Sequence, residues 1–266
     1  DQILKIKSGE YLIPHDTTMY QISQILTTGD NASISVTIPE GKNIFEIARI
    51  LSDLKITDYQ KFVQKAKDQI FLKAIGLPYE RAEGFLYPET YLFSKTSSPE
   101  LIIKSMVKEF RRKTEKVDFS VSKLQLHELI TLASIVEKES GSRAERPIIA
   151  GVFLNRLEKR IRLQSDPTTI YGIFENFDGD LKKYHLEQAT PYNTYKITGL
   201  PPGPICNPGM ESIMAVLTAP KHKYLYFVSR NDGTHVFNRS YQEHTNAVIH
   251  YQKQANHQRK SQQQSP

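Results

Sequence analysis

Residues His127–Ser140 read HELITLASIVEKES, and the reading of the fold works outward from them. The stretch is long enough for about four helical turns. At helical spacing His127, Thr131, Ser134 and Lys138 make one polar stripe. Leu126, Leu129, Ile130, Ala133 and Val136 fall roughly opposite, as a core-facing side should. The helix ends on two acids, Glu137 and Glu139, which flank the stripe. Acids there face the negative end of the helix dipole. A carboxyl beside apolar packing also finds its charged form disfavoured, so its pKa rises. A carboxylic acid with a raised pKa is what general acid catalysis at neutral pH needs. The same pair also reads as solvated helix-end acids partnered by Lys138, Arg143 or Arg146. Spacing alone lets either glutamate border a cleft.

The chain has 266 residues, enough for one large domain or two modest ones, with 39% hydrophobic residues. A formal charge of +6 suits an anionic partner such as nucleic acid, a membrane surface or an acidic polymer, without choosing among them. One cysteine, Cys206, rules out an internal disulfide framework and a Cys/His zinc pattern. No run approaches the roughly 18 apolar residues of a membrane span. The opening DQILKIKSGEYLI reads as the middle of a structured domain, trimmed of its natural N-terminus.

Taken in order, Leu4 to Tyr20 reads as strand, turn around Gly9, and helix start. MYQISQILTTG is a short helix closed by Gly29, SISVTI (33–38) a strand, and IFEIARILSDL a second helix. Thr57 with Gln60 suggests a capping box for DYQKFVQKAKD. RAEGFLYPETYLF (81–93) is too irregular for either period. Ser98-Pro99 starts a long basic helix. Past Gly141, residues 144–160 form a helix with Pro147 early in it and Asn155 and Arg156 beside its apolar face. Asp166 reads as an N-cap with Pro167 as first helical residue. Residues 178–209 show little period, in a composition unlike disorder, so the loop reads as functional. Asn207-Pro208 caps a helix, YLYFV-SRNDG-THVF is a hairpin, and YQEHTNAVIHYQK is a last helix. The fold class is α+β: a small α/β unit, then a mixed, helix-rich domain with a β-hairpin near the C-terminus. The division is 1–73 and 74–252, with 253–266 a disordered polar tail.

Polar residues without a helix or strand duty gather at Glu137/Glu139, at Asn155 with Gln164 and Asp166, and in the loop with Tyr192, Asn193, Thr194 and Tyr195. Amides, phenols and ring faces of this kind bind sugars. Each also has a local reading: Asp166 caps, Asn193 shapes a turn, Tyr195 packs. No phosphate loop and no nucleophile elbow occurs. Neither does an RNP-like or helix-turn-helix signal, so the charge does not make this a nucleic-acid binder.

Five ordered blocks carry a resemblance: EGFLYPETY (83–91), ASIVEKE (133–139), VFLNR (152–156), RLQSDPTTIYG (162–172) and YNTYKITGLPPG (192–203). Together with YLYFV and GTHVFN they resemble the YceG-like family of endolytic murein transglycosylases, over nearly the whole chain. The resemblance implies a LysM-like opening subdomain and a catalytic domain. It implies cleavage between N-acetylmuramic acid and N-acetylglucosamine inside nascent peptidoglycan strands, leaving 1,6-anhydromuramic ends. It implies peptidoglycan strands as substrate, peptidoglycan synthases (penicillin-binding proteins) as partners, and a single-pass anchor in the cytoplasmic membrane with the catalytic part outside. No metal or cofactor is implied. One glutamic acid acts first as acid and then as base. Glu139-Ser140 matches the Glu-Ser pattern of lytic transglycosylases, so Glu139 is the expected acid and Glu137 the fallback. Asn155, Gln164, Asp166, Tyr192, Asn193 and Thr194 are the expected cleft residues. The competing class is a non-catalytic peptidoglycan-binding or scaffolding protein.

Overall fold

The structure, a computed structural model, describes residues 6, 11, 13, 15–28, 33–95 and 97–253. The expected strand and turn around Gly9, the Gly29 helix stop and the polar tail after 253 lie outside these residues. The chain packs as two compact units, 1–112 and 113–266.

The first unit contains α1 (Met19–Thr28), β1 (Ile34–Thr37), α2 (Ile44–Asp53), α3 (Tyr59–Ala66), α4 (Gln69–Ala74), β2 (Thr90–Phe93) and most of α5 (Pro99–Thr114). β1 and β2 pair antiparallel, Ile34 opposite Phe93 and Thr37 opposite Thr90. The aromatic stretch at 81–93, expected to be irregular, therefore ends in a strand. Its period was hidden by Gly84 and Pro88 just upstream. The division expected at residue 73 cuts this unit, because the partner of β1 lies beyond it.

α2 turns Ile44, Phe45, Ile47, Ala48 and Leu51 inward. Asn43 and Glu46 close its start as a capping box. Glu83, 1% exposed, adds a buried carboxylate that accepts from the Ile44 N–H at 3.2 and 3.0 Å. An anion at a helix N-terminus satisfies orphan donors and the dipole together. Asp58, not Thr57, caps α3, accepting from the Lys61 N–H. From one residue later, the Asp58 carboxylate reaches the third helical N–H directly.

The second unit is built on α6 (Leu126–Glu139), which packs against α7 (Arg146–Glu158), α8 (Asp166–Gly172) and α10 (Met210–Leu217). Every residue from Leu129 to Val136 is buried. The middle of the polar stripe, Thr131 and Ser134, is inside as well, while Lys138 is exposed. Thr131 Oγ1 donates to the His127 carbonyl, and Ser134 Oγ donates to the Thr131 carbonyl while accepting from the Ile205 N–H at 3.0 Å. Short hydroxyls that bond their own helix can line a core at little cost, so the stripe marks the seat of the Pro-rich segment around Ile205.

The long loop expected at 178–209 carries one short helix, α9 (Lys183–Glu187). β3 (Tyr226–Ser229) and β4 (His235–Asn238) form the expected hairpin. Asn231 (φ 65°) and Gly233 (φ 87°) supply its left-handed turn. α11 (Tyr241–Val248) packs on both strands. Gly209, not Asn207, precedes α10 as its N-cap.

Glu83→Ala should strip the start of α2 of its buried acceptor. The expected loss is about 1–3 kcal/mol, read as a lower denaturation midpoint; an unchanged midpoint would show the cap to be redundant.

Candidate active site

The two acids ending α6 have opposite surroundings. Glu137 is buried in a network. It accepts from Arg146 Nη2 at 3.2 Å, from the Gly209 N–H at 3.0 Å and from Ser212 Oγ at 2.7 Å. Arg146 also meets Glu211 and donates to Ser140 Oγ. Glu137 thereby ties the end of α6 to the start of α10.

Glu139 sits instead in the wall of a cleft of about 540 Å³. Its one hydrogen bond among the described residues comes from Ser165 Oγ, at 2.6 Å. Burial pushes its pKa from 4.5 up to about 7. The Ser165 bond opposes that rise, the charge of Asp166 adds to it, and Arg156 opposes it. Near neutral pH both the protonated and the ionised form of the group are accessible.

Ser165 stands at the N-cap position of α8 yet makes no side-chain cap. Asp166 is not the cap that the sequence led us to expect. It begins the helix, and its carboxylate accepts from Tyr195 Oη at 2.7 Å. Burial and this bond hold the Tyr195 phenol above its ordinary value, so it stays a donor. Thr194 fixes Ser165 from below: Thr194 Oγ1 accepts the Ser165 N–H at 2.9 Å and pairs with Thr168 Oγ1 at 2.8 Å. Asn193, fully buried, donates to the carbonyls of Leu186 and Gln188 and accepts from the Tyr195 N–H and Thr169. Its amide is therefore the frame of the loop.

Of the residues expected in the cleft, the structure brings Glu139, Gln164 and Asp166 together. Gln164 adopts a left-handed backbone (φ 53°) that turns the chain into α8. Thr194 and Asn193 stand behind the wall. Tyr192 packs on Tyr171, ring centroids 4.7 Å apart, and does not line the cleft. Asn155 is drawn away too. Its amide donates to the carbonyls of His222 and Tyr224 at 2.8 and 3.0 Å. A Cβ at Gly151, one turn earlier in α7, would collide with the His222 ring, so glycine admits the segment that Asn155 then clamps.

Several cleft residues were not among those expected from the sequence. Arg156 lines the cleft although only 7% exposed. Its guanidinium donates to the carbonyls of Leu225, Arg162 and Leu163 and to Gln164 Oε1. Tyr226 lies over that guanidinium at 4.9 Å and stacks on His244 at 5.2 Å. Burial keeps His244 below its ordinary pKa. Tyr241, 69% exposed, stands beside them. The available signal for Arg156 was a charge three and four residues after Phe153 and Val152, on the buried side of its helix. For Ser165 it was a capping residue directly before Asp-Pro.

The model of the YceG-like family matches residues 1–250. A protein of Bacillus subtilis named "Endolytic murein transglycosylase" is 35% identical over 92% of this chain and 73% of its own length. One of the same name from Streptococcus pneumoniae is 29% identical over 73% of this chain; the match spans 40% of that longer protein. The 2.6 Å crystal structure of a YceG-like protein from Listeria monocytogenes superposes with a TM-score of 0.74 at 34% identity, covering 91% of this chain and 85% of that one.

Two stability experiments separate the glutamates. A carboxyl whose folded pKa lies above its unfolded 4.5 loses stability as pH rises from about 4.5 through about 7. Glu139→Gln should therefore be more stable than the parent at pH 8, by up to about 3 kcal/mol, and similar to it at pH 4. A lower melting temperature at pH 8 would contradict the burial of this group. Glu137→Gln should behave the opposite way, losing about 3 kcal/mol, because Arg146 is left with an incomplete buried pair.

Proposed function

The chain belongs to the YceG-like family, and on that premise we propose that it is a lytic transglycosylase cutting inside murein glycan strands. The bond cut is the one between N-acetylmuramic acid and N-acetylglucosamine. The observation that carries this reading is Glu139, an acid with a pKa of about 7 in a cleft wall, held by a single serine hydroxyl.

The chemistry follows from that group. In its acid form Glu139 protonates the glycosidic oxygen, and the bond to C1 of the muramic sugar breaks. The resulting carboxylate then takes the proton of that sugar's C6 hydroxyl. The C6 oxygen closes onto C1, giving a 1,6-anhydro end and restoring the acid. Water is not consumed, so the second carboxylate of ordinary glycoside hydrolysis is not required. A pKa near neutrality suits a group that must act in both directions. Ser165 orients the carboxyl, and the exposed ring of Tyr241 offers an apolar surface on which a sugar stacks.

The opening unit, with β1 and β2 bracketing α2 to α4, is proposed as the LysM-like part that grips the strand. Acting on nascent strands places the enzyme outside the cytoplasmic membrane, beside the peptidoglycan synthases, where cutting would end strand elongation. No helix among the described residues is long and apolar enough to cross a membrane.

The test is mass spectrometry of products from uncrosslinked glycan strands. Anhydro-ended fragments are expected. Reducing ends would make the reaction a hydrolysis, with Asp166 the cleft carboxylate to suspect. No fragments at all would leave a binding or scaffolding protein. Glu139→Gln should lower kcat by ~10²–10⁴, and the parental rate should fall as pH rises past about 7 and the acid is titrated.

A further inference from the structure

The cleft holds another ionisable side chain for which the lytic step has no use. His235 opens β4 and lines the cleft wall. Its Nδ1 lies 2.8 Å from Glu145 Oε2, and its backbone N–H donates to Glu145 Oε1 at 3.0 Å. One carboxylate thus grips the residue at two points, with side-chain exposures of only 12% and 16%. The ring stands edge-on to Phe227, centroids 5.5 Å apart and planes at 88°. Ring position and ring orientation are both fixed.

A carboxylate at Nδ1 makes that nitrogen the N–H donor, which leaves the lone pair of the neutral ring on Nε2. Among the described residues Nε2 has no hydrogen-bond partner, and it is not sealed from solvent. His222 shows the contrast. There Nε2 meets the Ile148 carbonyl and Nδ1 accepts from the Tyr224 N–H, so the ring is used up by the fold. His235 is held as firmly but with one nitrogen left over, on a residue that borders the cleft.

We propose that His235 is a substrate-contacting residue of this cleft. Its Nε2 accepts a hydrogen bond from a hydroxyl or an acetamido N–H of the glycan, the donors that such a polymer carries on every sugar. Glu145 is its positioning residue. The inference rests on the glycan-cleaving reading and adds a contact remote in sequence from the α6 acids.

Two substitutions in the full chain test it. In His235→Asn the amide reaches the place of Nδ1 and can still donate to Glu145, but nothing stands at Nε2. In His235→Gln the amide carbonyl reaches the place of Nε2, while the Glu145 bond is lost. His235→Asn should melt near the parental temperature, yet its kcat/KM should fall on the order of tenfold, mostly through KM. His235→Gln should be less stable and should recover much of kcat/KM per folded molecule. A purely structural histidine predicts the reverse order, with Asn active and Gln impaired. That order, or parental kcat/KM in both variants, would overturn the inference. Strand binding measured in the Glu139→Gln background keeps the two readings apart. If His235→Asn binds strands as tightly as its background while the parent still cuts them, the inference fails and the lyase reading stands. If the parent binds without cutting and His235→Asn weakens binding, the contact stands and the lyase reading fails. A parent that neither binds nor cuts removes both.

Discussion

The cleft depends on a carboxyl largely withdrawn from water and given one hydroxyl in return. Desolvating a carboxylate costs more than a single neutral donor restores, and the deficit is what lifts Glu139 to about 7. The bond is useful only while Ser165 stays in place, and its surroundings are built for that. A serine ahead of a helix ordinarily turns its hydroxyl onto the helix N–H groups. Here Pro167, which has no N–H, thins out those donors. Thr194 takes the Ser165 N–H and Thr168 donates to its carbonyl at 2.6 Å. With its backbone satisfied by threonines, the serine hydroxyl is free to face Glu139.

Glu137 and Glu139 lie two residues apart, about 200° round the helix. That rotation sends one into the α6–α10 seam and the other to the cleft. In the seam a guanidinium, a backbone N–H and a serine hydroxyl converge on the carboxylate. Glu137 is complete within the fold. Glu139 is not, and its incompleteness is its chemical potential as an acid.

Much of the architecture could be read from the chain alone, because helices 44–53, 99–114 and 126–139 and the hairpin turn announce themselves by local pattern. The failures have one cause. Wherever a polar side chain was assigned by its neighbours in sequence, tertiary partners could reassign it. Asp166 looked like a cap and instead accepts from Tyr195, 29 residues on. Asn155 looked like a cleft residue and clamps a segment 67 to 69 residues away. Asn193 and Thr194 were found in the right neighbourhood but one layer too deep. The place of Arg156 on the buried side of its helix was legible from spacing, but the carbonyls it meets were not.

The cleft around Glu139 also includes Tyr226, Tyr241 and His244, about a hundred residues downstream on the hairpin and α11. The surroundings of the acid are thus completed by segments far downstream in the sequence. During synthesis the α6 end emerges long before that wall does. Until the hairpin docks, one wall of the cleft around Glu139 is missing. The cleft is therefore a product of distant segments brought together: α6 supplies one wall, and the hairpin with α11 supplies another.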